Sequence, residues 1–390
     1  MQNRLKESVI KEVDRLKTDL IDICMTIHSN PEVKFKEFKA VEVLTTFLEK
    51  NDFEVTKGTG GLETAFNAVF KGPGNGPAIA FLAEYDALPQ IGHACGHNIV
   101  GSAGVGAAVA LKKAAADSIG KIIVVGTPAE EGGGGKIILI EKGIFEDIDI
   151  AMMIHPSNKT RMVRLMLAVA ETGFIFHGRA AHAAAYPHKG INALDGVILT
   201  FNNINALRQQ LKNDVRIHGI ITEGGYAPNI IPEMASAQFY VRALEEKYFK
   251  EVVEKVKECA RGAAIATGTK LDIKTERLIY RPFKPNYTLA EIFRDNLSLI
   301  GIREDPGDEK GDMGSSDIGN VSQTIPTIHA DISICDDDVV CHSPGFRDAA
   351  ISEKGIKGIV TGAKALALTA LDIFISPEKM DMIRKEFEGK

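Results

Sequence analysis

The sequence predicts an α/β protein, in which a mixed central sheet flanked by helices is interrupted by a smaller domain of βαββαβ order. Three observations carry this. Residues 121–126 (KIIVVG) and 148–154 (IDIAMMI) are short, almost wholly apolar runs, the pattern of buried parallel strands. Strand and helix patterns alternate through the first 160 residues, as in a layered α/β architecture. From about 171 to 283 the order becomes strand, helix, strand, strand, helix, strand, which is ferredoxin-like.

The chain opens with a charged amphipathic helix, MQNRLKESVIKEVDRLKTDL, and helical spacing returns over 39–50. Strands follow at 65–71 and 78–85, split by the turn-rich segment Gly72 to Pro77. An Ala-rich helix covers 99–116 before the two apolar strands. The inserted pattern comprises strand 171–178, helix 191–211, strands 216–223 and 235–243, helix 245–267 and strand 270–276. A helix at 288–300, a strand at 324–334 and a long Ala/Leu-rich helix at 355–374 complete the outer domain. The expected organisation is therefore one discontinuous domain, 1–170 with 284–390, and an insert at 171–283.

Composition narrows the function. The 390 residues are 45% apolar and 25% charged, a globular balance. With 46 basic against 52 acidic residues the net charge is −6, which excludes the basic footprint of a nucleic-acid binder. No segment offers about 18 uninterrupted apolar residues, so no membrane span is expected. The N-terminus does not read as a signal peptide. Five cysteines are too few and too scattered for a disulfide framework, and a cytoplasmic location is expected.

Chemistry concentrates where strands end. Gly92-His93-Ala94-Cys95-Gly96-His97-Asn98 follows a strand and opens a helix. Cys and His are good ligands for zinc-like ions, though a loop whose polar groups cap the helix explains the same residues. Thr127-Pro128-Ala129-Glu130-Glu131 and its run of glycines follow strand 121–126, at the end where open α/β sheets place their sites. Adjacent carboxylates repel unless a cation is near, so a division between metal ligand and general base suits them. Alone, a solvated acidic turn would account for the pair.

His155 ends another strand, and His342 precedes the last helical region. With Cys95, His97 and Glu131 they make five ligand-type residues, more than the four of one structural zinc, which points to a two-ion site. Cys341 adjoins His342, but neighbouring side chains diverge, so it carries little weight. In the insert, His182 can donate a hydrogen bond to a developing oxyanion. Asn229 and Arg242 can meet a carboxylate, unless they are a turn residue and a surface residue. The loop Met313-Gly314-Ser315-Ser316-Asp317 can offer backbone N–H groups to an anion, or be an ordinary turn.

Taken in order, these stretches resemble the aminoacylase/carboxypeptidase G family of two-metal amidohydrolases, peptidase family M-20, in its Cys-Gly-His branch with hippurate and auxin-conjugate hydrolases. AEYDALPQIGHACGHN (83–98), GTPAEEGGGGKI (126–137), IHP (154–156), INALDGVILTFNNINALRQQ (191–210), VRIHGIITEGG (215–225), PNIIPE (228–233) and GSSDIGNVS (314–322) carry the resemblance over nearly the whole chain. It implies two divalent ions per protomer, zinc or manganese with cobalt also admitted, held by Cys95, His97, Glu131, His155 and His342. Glu130 would be the general base, Asp86 would orient a ligand, and His182 would reach the reaction from a lid and dimerisation domain. Asn229, Arg242, Gly314 and Ser315 would hold the substrate. The implied activity is hydrolysis of small N-acyl amino acids or dipeptides with a free carboxylate, of the Xaa-Arg, Xaa-Lys or aminobenzoyl-glutamate type. The implied assembly is a homodimer through the insert, or a larger homo-oligomer. A non-catalytic amino-acid or peptide binder, a Cys95 thiol enzyme and a carboxypeptidase on longer peptides are the competing expectations.

Overall fold

A computed structural model describes residues 2–74, 76–275, 277–309, 311 and 313–389. They divide into two compact units, Met1–Leu165 with Phe283–Lys390, and Met166–Pro282.

The first unit begins with α1 (Gln2–Ser29), α2 (Phe38–Lys50), β1 (Glu54–Lys57), β2 (Phe66–Lys71), β3 (Ala78–Ala83), α3 (His97–Ala115), β4 (Lys121–Gly126), α4 (Gly135–Glu141) and β5 (Ile150–Ser157). The second unit follows as β6 (Ala168–His177), α5 (Ala193–Leu207), β7 (Arg216–Glu223), β8 (Met234–Ala243), α6 (Glu246–Thr267) and β9 (Lys270–Thr275). The chain then returns to the first unit with α7 (Tyr287–Leu299), α8 (Ile318–Ser322), β10 (Thr327–Ser333), α9 (Pro344–Ala349), α10 (Glu353–Phe374) and α11 (Pro377–Glu388).

The first unit holds a six-stranded sheet of order β1-β2-β4-β3-β5-β10. Its β4-β3-β5-β10 half is parallel, and β1 and β2 join antiparallel at one edge. β3 and β4 are almost entirely buried, which explains their unbroken apolar sequence. α1, α3 and α10 pack on one another, with α3 and α10 against β5. The helical stretch His97–Ser118 is long and apolar enough to cross a membrane, but most of it lies buried inside this unit.

The second unit is a four-stranded antiparallel sheet, β7-β8-β6-β9, covered on one face by α5 and α6. Its strands alternate: along β8 the burial runs exposed, buried, intermediate, buried, and Ala235, Ala237, Phe239 and Val241 face the helices' apolar core.

The structure adds elements the sequence pattern does not yield. β1 is a short, largely exposed edge strand with no alternation to reveal it. The first strand of the second unit starts at Ala168, and the helix read through 211 ends at Leu207, where a 3-10 turn takes over.

Candidate active site

Parallel strands deliver their C-terminal ends to one edge of the sheet. Residues 84–96 leave β3, residues 127–134 leave β4, His155 stands near the end of β5, and His342 follows β10. Gly96 caps α3 with φ +78°, and a Cβ there would lie 2.4 Å from Pro156 Cγ. Only glycine lets the Cys95–His97 turn approach β5 so closely. Gly135, where the chain enters α4, is equally constrained: a Cβ would meet the Pro128 carbonyl oxygen at 1.9 Å.

Two histidines are held in the same way. His97 Nδ1 donates to the Asp86 carbonyl at 2.9 Å and lies 3.0 Å from Asp86 Oδ1. His155 Nδ1 lies 2.8 Å from the Pro156 carbonyl oxygen. In each, the occupied Nδ1 leaves Nε2 to face the cluster. Asp86 also accepts the Glu131 backbone N–H through Oδ2 at 2.9 Å. His155 Nε2 is 3.5 Å from Cys95 Sγ, and His342 Nε2 is 3.2 Å from Glu131 Oε1.

Ligand-type atoms therefore converge. Those of Cys95, His97 and His155 fall within 4.8 Å of one another, as do those of His97, Glu130 and Glu131, and those of Cys95, Cys341 and His342. The inclusion of Cys341 corrects the expectation that its side chain diverges from that of His342. His342 adopts φ +65°, which turns the backbone so that both neighbours face the cluster. Ala129, just before Glu130, is similarly left-handed at φ +61°, and its N–H is held by Glu37 Oε1 at 3.0 Å. Backbone strain of this kind costs about 1–3 kcal/mol and is found where surrounding structure enforces a functional geometry.

The electrostatics call for a cation. Burial together with the carboxylates of Glu84, Glu131 and Asp317 pushes Glu130 well above the usual carboxylate range. Burial opposes charge on His97, yet Asp86 and Glu84 hold its pKa well above that of free imidazole. His97 Nε2 and Glu84 Oε2 are 3.4 Å apart, both buried and neither hydrogen-bonded. A proton on His97 is thus the minimal countercharge to a carboxylate-rich site. Thiolate, imidazole and carboxylate donors with buried, unsatisfied lone pairs fit a divalent metal ion.

Sequence reasoning misses the support behind this cluster. Lys136, fully buried in α4, donates to Glu84 Oε1 at 2.5 Å and Asp317 Oδ1 at 2.6 Å, and its backbone N–H donates to Asp317 Oδ2 at 2.9 Å. Those two carboxylates outweigh burial and hold the ammonium charged. Asp317 ends the loop carrying Gly314 and Ser315, so the triad ties that loop to the strand end at Glu84. Glu37 is buried as well and accepts from Thr64 Oγ1 at 2.7 Å, with its pKa pushed up to about 7 by burial. His329 on β10 stacks against His155 with ring centroids 5.2 Å apart. The remaining candidates lie in the second unit. His182 is exposed, with Nδ1 accepting the Ala184 and Ala185 N–H groups at 3.3 and 3.2 Å. Asn229 is its near neighbour, since the Asn229 carbonyl accepts from Ala183 N–H at 3.0 Å. Arg242 sits on β8 opposite Arg216 of β7, away from that loop pair in register.

Residues 169–267 match the model of a peptidase dimerisation domain. The chain is 40% identical to the Xaa-Arg dipeptidase of Mus musculus, an alignment covering 99% of this chain and 93% of that protein. The chain belongs to the M20 peptidase family. It is also 35% identical to one of the subunits of the p-aminobenzoyl-glutamate hydrolase of Escherichia coli K12, over 75% of this chain and 64% of that one. A dinuclear metal-binding M20 peptidase from Bacillus subtilis shares the fold, with a TM-score of 0.72 at 19% identity, covering 92% of this chain and 99% of its own. As an M20 peptidase the protein is a metal-dependent hydrolase of amide bonds.

Proposed function

We propose that this M20 peptidase is a dipeptidase that cleaves a small dipeptide or N-acyl amino acid with a free carboxylate, with Xaa-Arg and Xaa-Lys as its first substrate class. The single observation that carries the chemistry is the convergence of Glu130 with His97 and Glu131 at the parallel strand ends, where His97 also meets Cys95 and His155. The names of its relatives, an Xaa-Arg dipeptidase and part of an aminobenzoyl-glutamate hydrolase, support the substrate class.

In this reading Cys95, His97, Glu131, His155 and His342 would hold two divalent ions. Zinc or manganese is the native metal, and cobalt would substitute. Bound there, the ions would polarise the scissile carbonyl and acidify the attacking water. Glu130 takes the proton of that water and returns it to the leaving amine. A glutamate beside the ligand donors is placed to carry a proton between these two steps. Asp86 keeps His97 in the tautomer that presents Nε2. His182 donates to the oxyanion, and Asn229, Arg242, Gly314 and Ser315 hold the substrate's polar ends. The protein works as a homodimer through the 166–282 unit, consistent with its match to a dimerisation domain. Five free thiols suit a reducing cytoplasm.

The test is a hydrolysis panel of β-alanyl-lysine, Xaa-Arg dipeptides, aminobenzoyl-glutamate, hippurate, acetyl-amino acids and longer peptides. Preferential release of Arg or Lys from dipeptides is expected. Metal-loaded protein that cleaves only longer peptides, or no amide in the panel, would refute the dipeptidase assignment.

A further inference from the structure

Cys341 is one ligand-type group that the proposed mechanism leaves unused. Its Sγ lies 3.6 Å from Cys95 Sγ and 3.6 Å from the Ala94 carbonyl oxygen. The backbone N–H of His342 donates to that same carbonyl at 2.9 Å, so the 341–342 segment is fastened to the loop that carries Cys95. The φ of +65° at His342 then allows two consecutive side chains to face one point. The ligand atoms of Cys95, Cys341 and His342 all lie within 4.8 Å of one another.

The spacing of the two sulfurs is informative. A tetrahedral ion with metal–sulfur bonds of about 2.3 Å holds two thiolates roughly 3.8 Å apart. A disulfide would bring them to about 2.05 Å. The two thiols lie in S–H···S contact at a separation within about 0.2 Å of such a tetrahedral edge, with His342 close enough to supply a third corner. We infer that Cys341 is a further metal ligand, sharing one ion with Cys95 and His342 and adding a second thiolate to the site. The inference rests on the proposed ligand roles of Cys95 and His342. Its consequence is selectivity: a second soft donor favours zinc or cobalt over manganese.

The experiment uses the full-length chain, stripped of metal and reloaded with cobalt(II). Wild-type protein should display a near-ultraviolet sulfur-to-cobalt charge-transfer band. Cys341→Ser should lose about a third to a half of its intensity, as one thiolate goes and Cys95 remains, and should bind zinc less selectively against manganese. An unchanged band and unchanged selectivity in Cys341→Ser would overturn the Cys341 assignment and leave the Cys95 assignment intact. Absence of the band in wild-type protein with cobalt bound would overturn the thiolate reading altogether. X-ray absorption of zinc-loaded protein gives a second readout: a sulfur count per zinc higher in wild type than in Cys341→Ser supports the inference. A count that is the same in Cys341→Ser as in wild type contradicts it. So does a Cys95–Cys341 disulfide found in the metal-loaded protein.

Discussion

The carboxylate of Asp86 lies 3.0 Å from Nδ1 of His97, with both side chains completely buried. The same aspartate accepts the Glu131 backbone N–H, so one residue fixes both a ring tautomer and the loop bearing two acidic groups. Partners of this kind typically change metal affinity by about 10–100-fold when removed. Asp86→Ala should weaken metal binding by about that factor in a chelator competition, while far-ultraviolet dichroism stays native. Unaltered metal affinity would mean that Asp86 only packs.

Gly96 separates Cys95 from His97 in a conformation that side chains rarely adopt, and a Cβ would strike Pro156. Gly96→Ala combines a left-handed penalty of about 1–2 kcal/mol with that clash. Urea unfolding should register a loss of more than about 2 kcal/mol, and metal content should fall because the turn moves away from His155. A variant with wild-type stability and metal content would show that the turn relaxes freely.

Lys136 stands between two buried carboxylates. Removing one partner of a buried ion pair costs about 3–5 kcal/mol, because a charge is left without compensation. Lys136→Met should be destabilised by that amount, and adding Glu84→Gln and Asp317→Asn should return part of the loss. Additive destabilisation in the triple variant would contradict the ion-triad account.

Far from the site, Asp372 on α10 accepts from Lys6 Nζ at 2.7 Å and from Asn296 Nδ2 at 3.0 Å. Burial alone would raise its pKa, but these hydrogen bonds hold it below the usual carboxylate value. A folded pKa below the unfolded one gives stability that is fully present above the unfolded pKa. That stability is lost as pH falls through the folded pKa. Lys6→Gln should therefore flatten the decline of unfolding free energy in the acid range below about pH 4. An identical pH slope in variant and wild type would remove Asp372 from the acid-sensitive groups.

The α/β class was legible because β4 and β5 are buried on both faces, and so consist of unbroken apolar runs. The order of the second unit was legible because its strands alternate and its helices carry long amphipathic stripes. β1 escaped because a four-residue exposed strand has no pattern. Cys95, His97, Glu130, Glu131, His155 and His342 stood out because each lies near or beyond a strand end or close to the start of a helix. Lys136 did not, since a lysine normally reads as solvent-exposed. It is buried only because carboxylates 52 and 181 residues away along the chain meet it in the fold. Cys341 was discounted on a rule that holds for ordinary backbone and fails at the left-handed His342.

The most direct test is hydrolysis of the best dipeptide substrate by metal-stripped wild type, restored wild type and Glu130→Gln. The account predicts that stripping abolishes turnover and that zinc or manganese restores it. Glu130→Gln should bind metal as wild type does, yet turn over about 10²–10⁴-fold more slowly, as expected for loss of a general base. Activity that survives complete metal removal, or a near-normal turnover number in fully loaded Glu130→Gln, would contradict it.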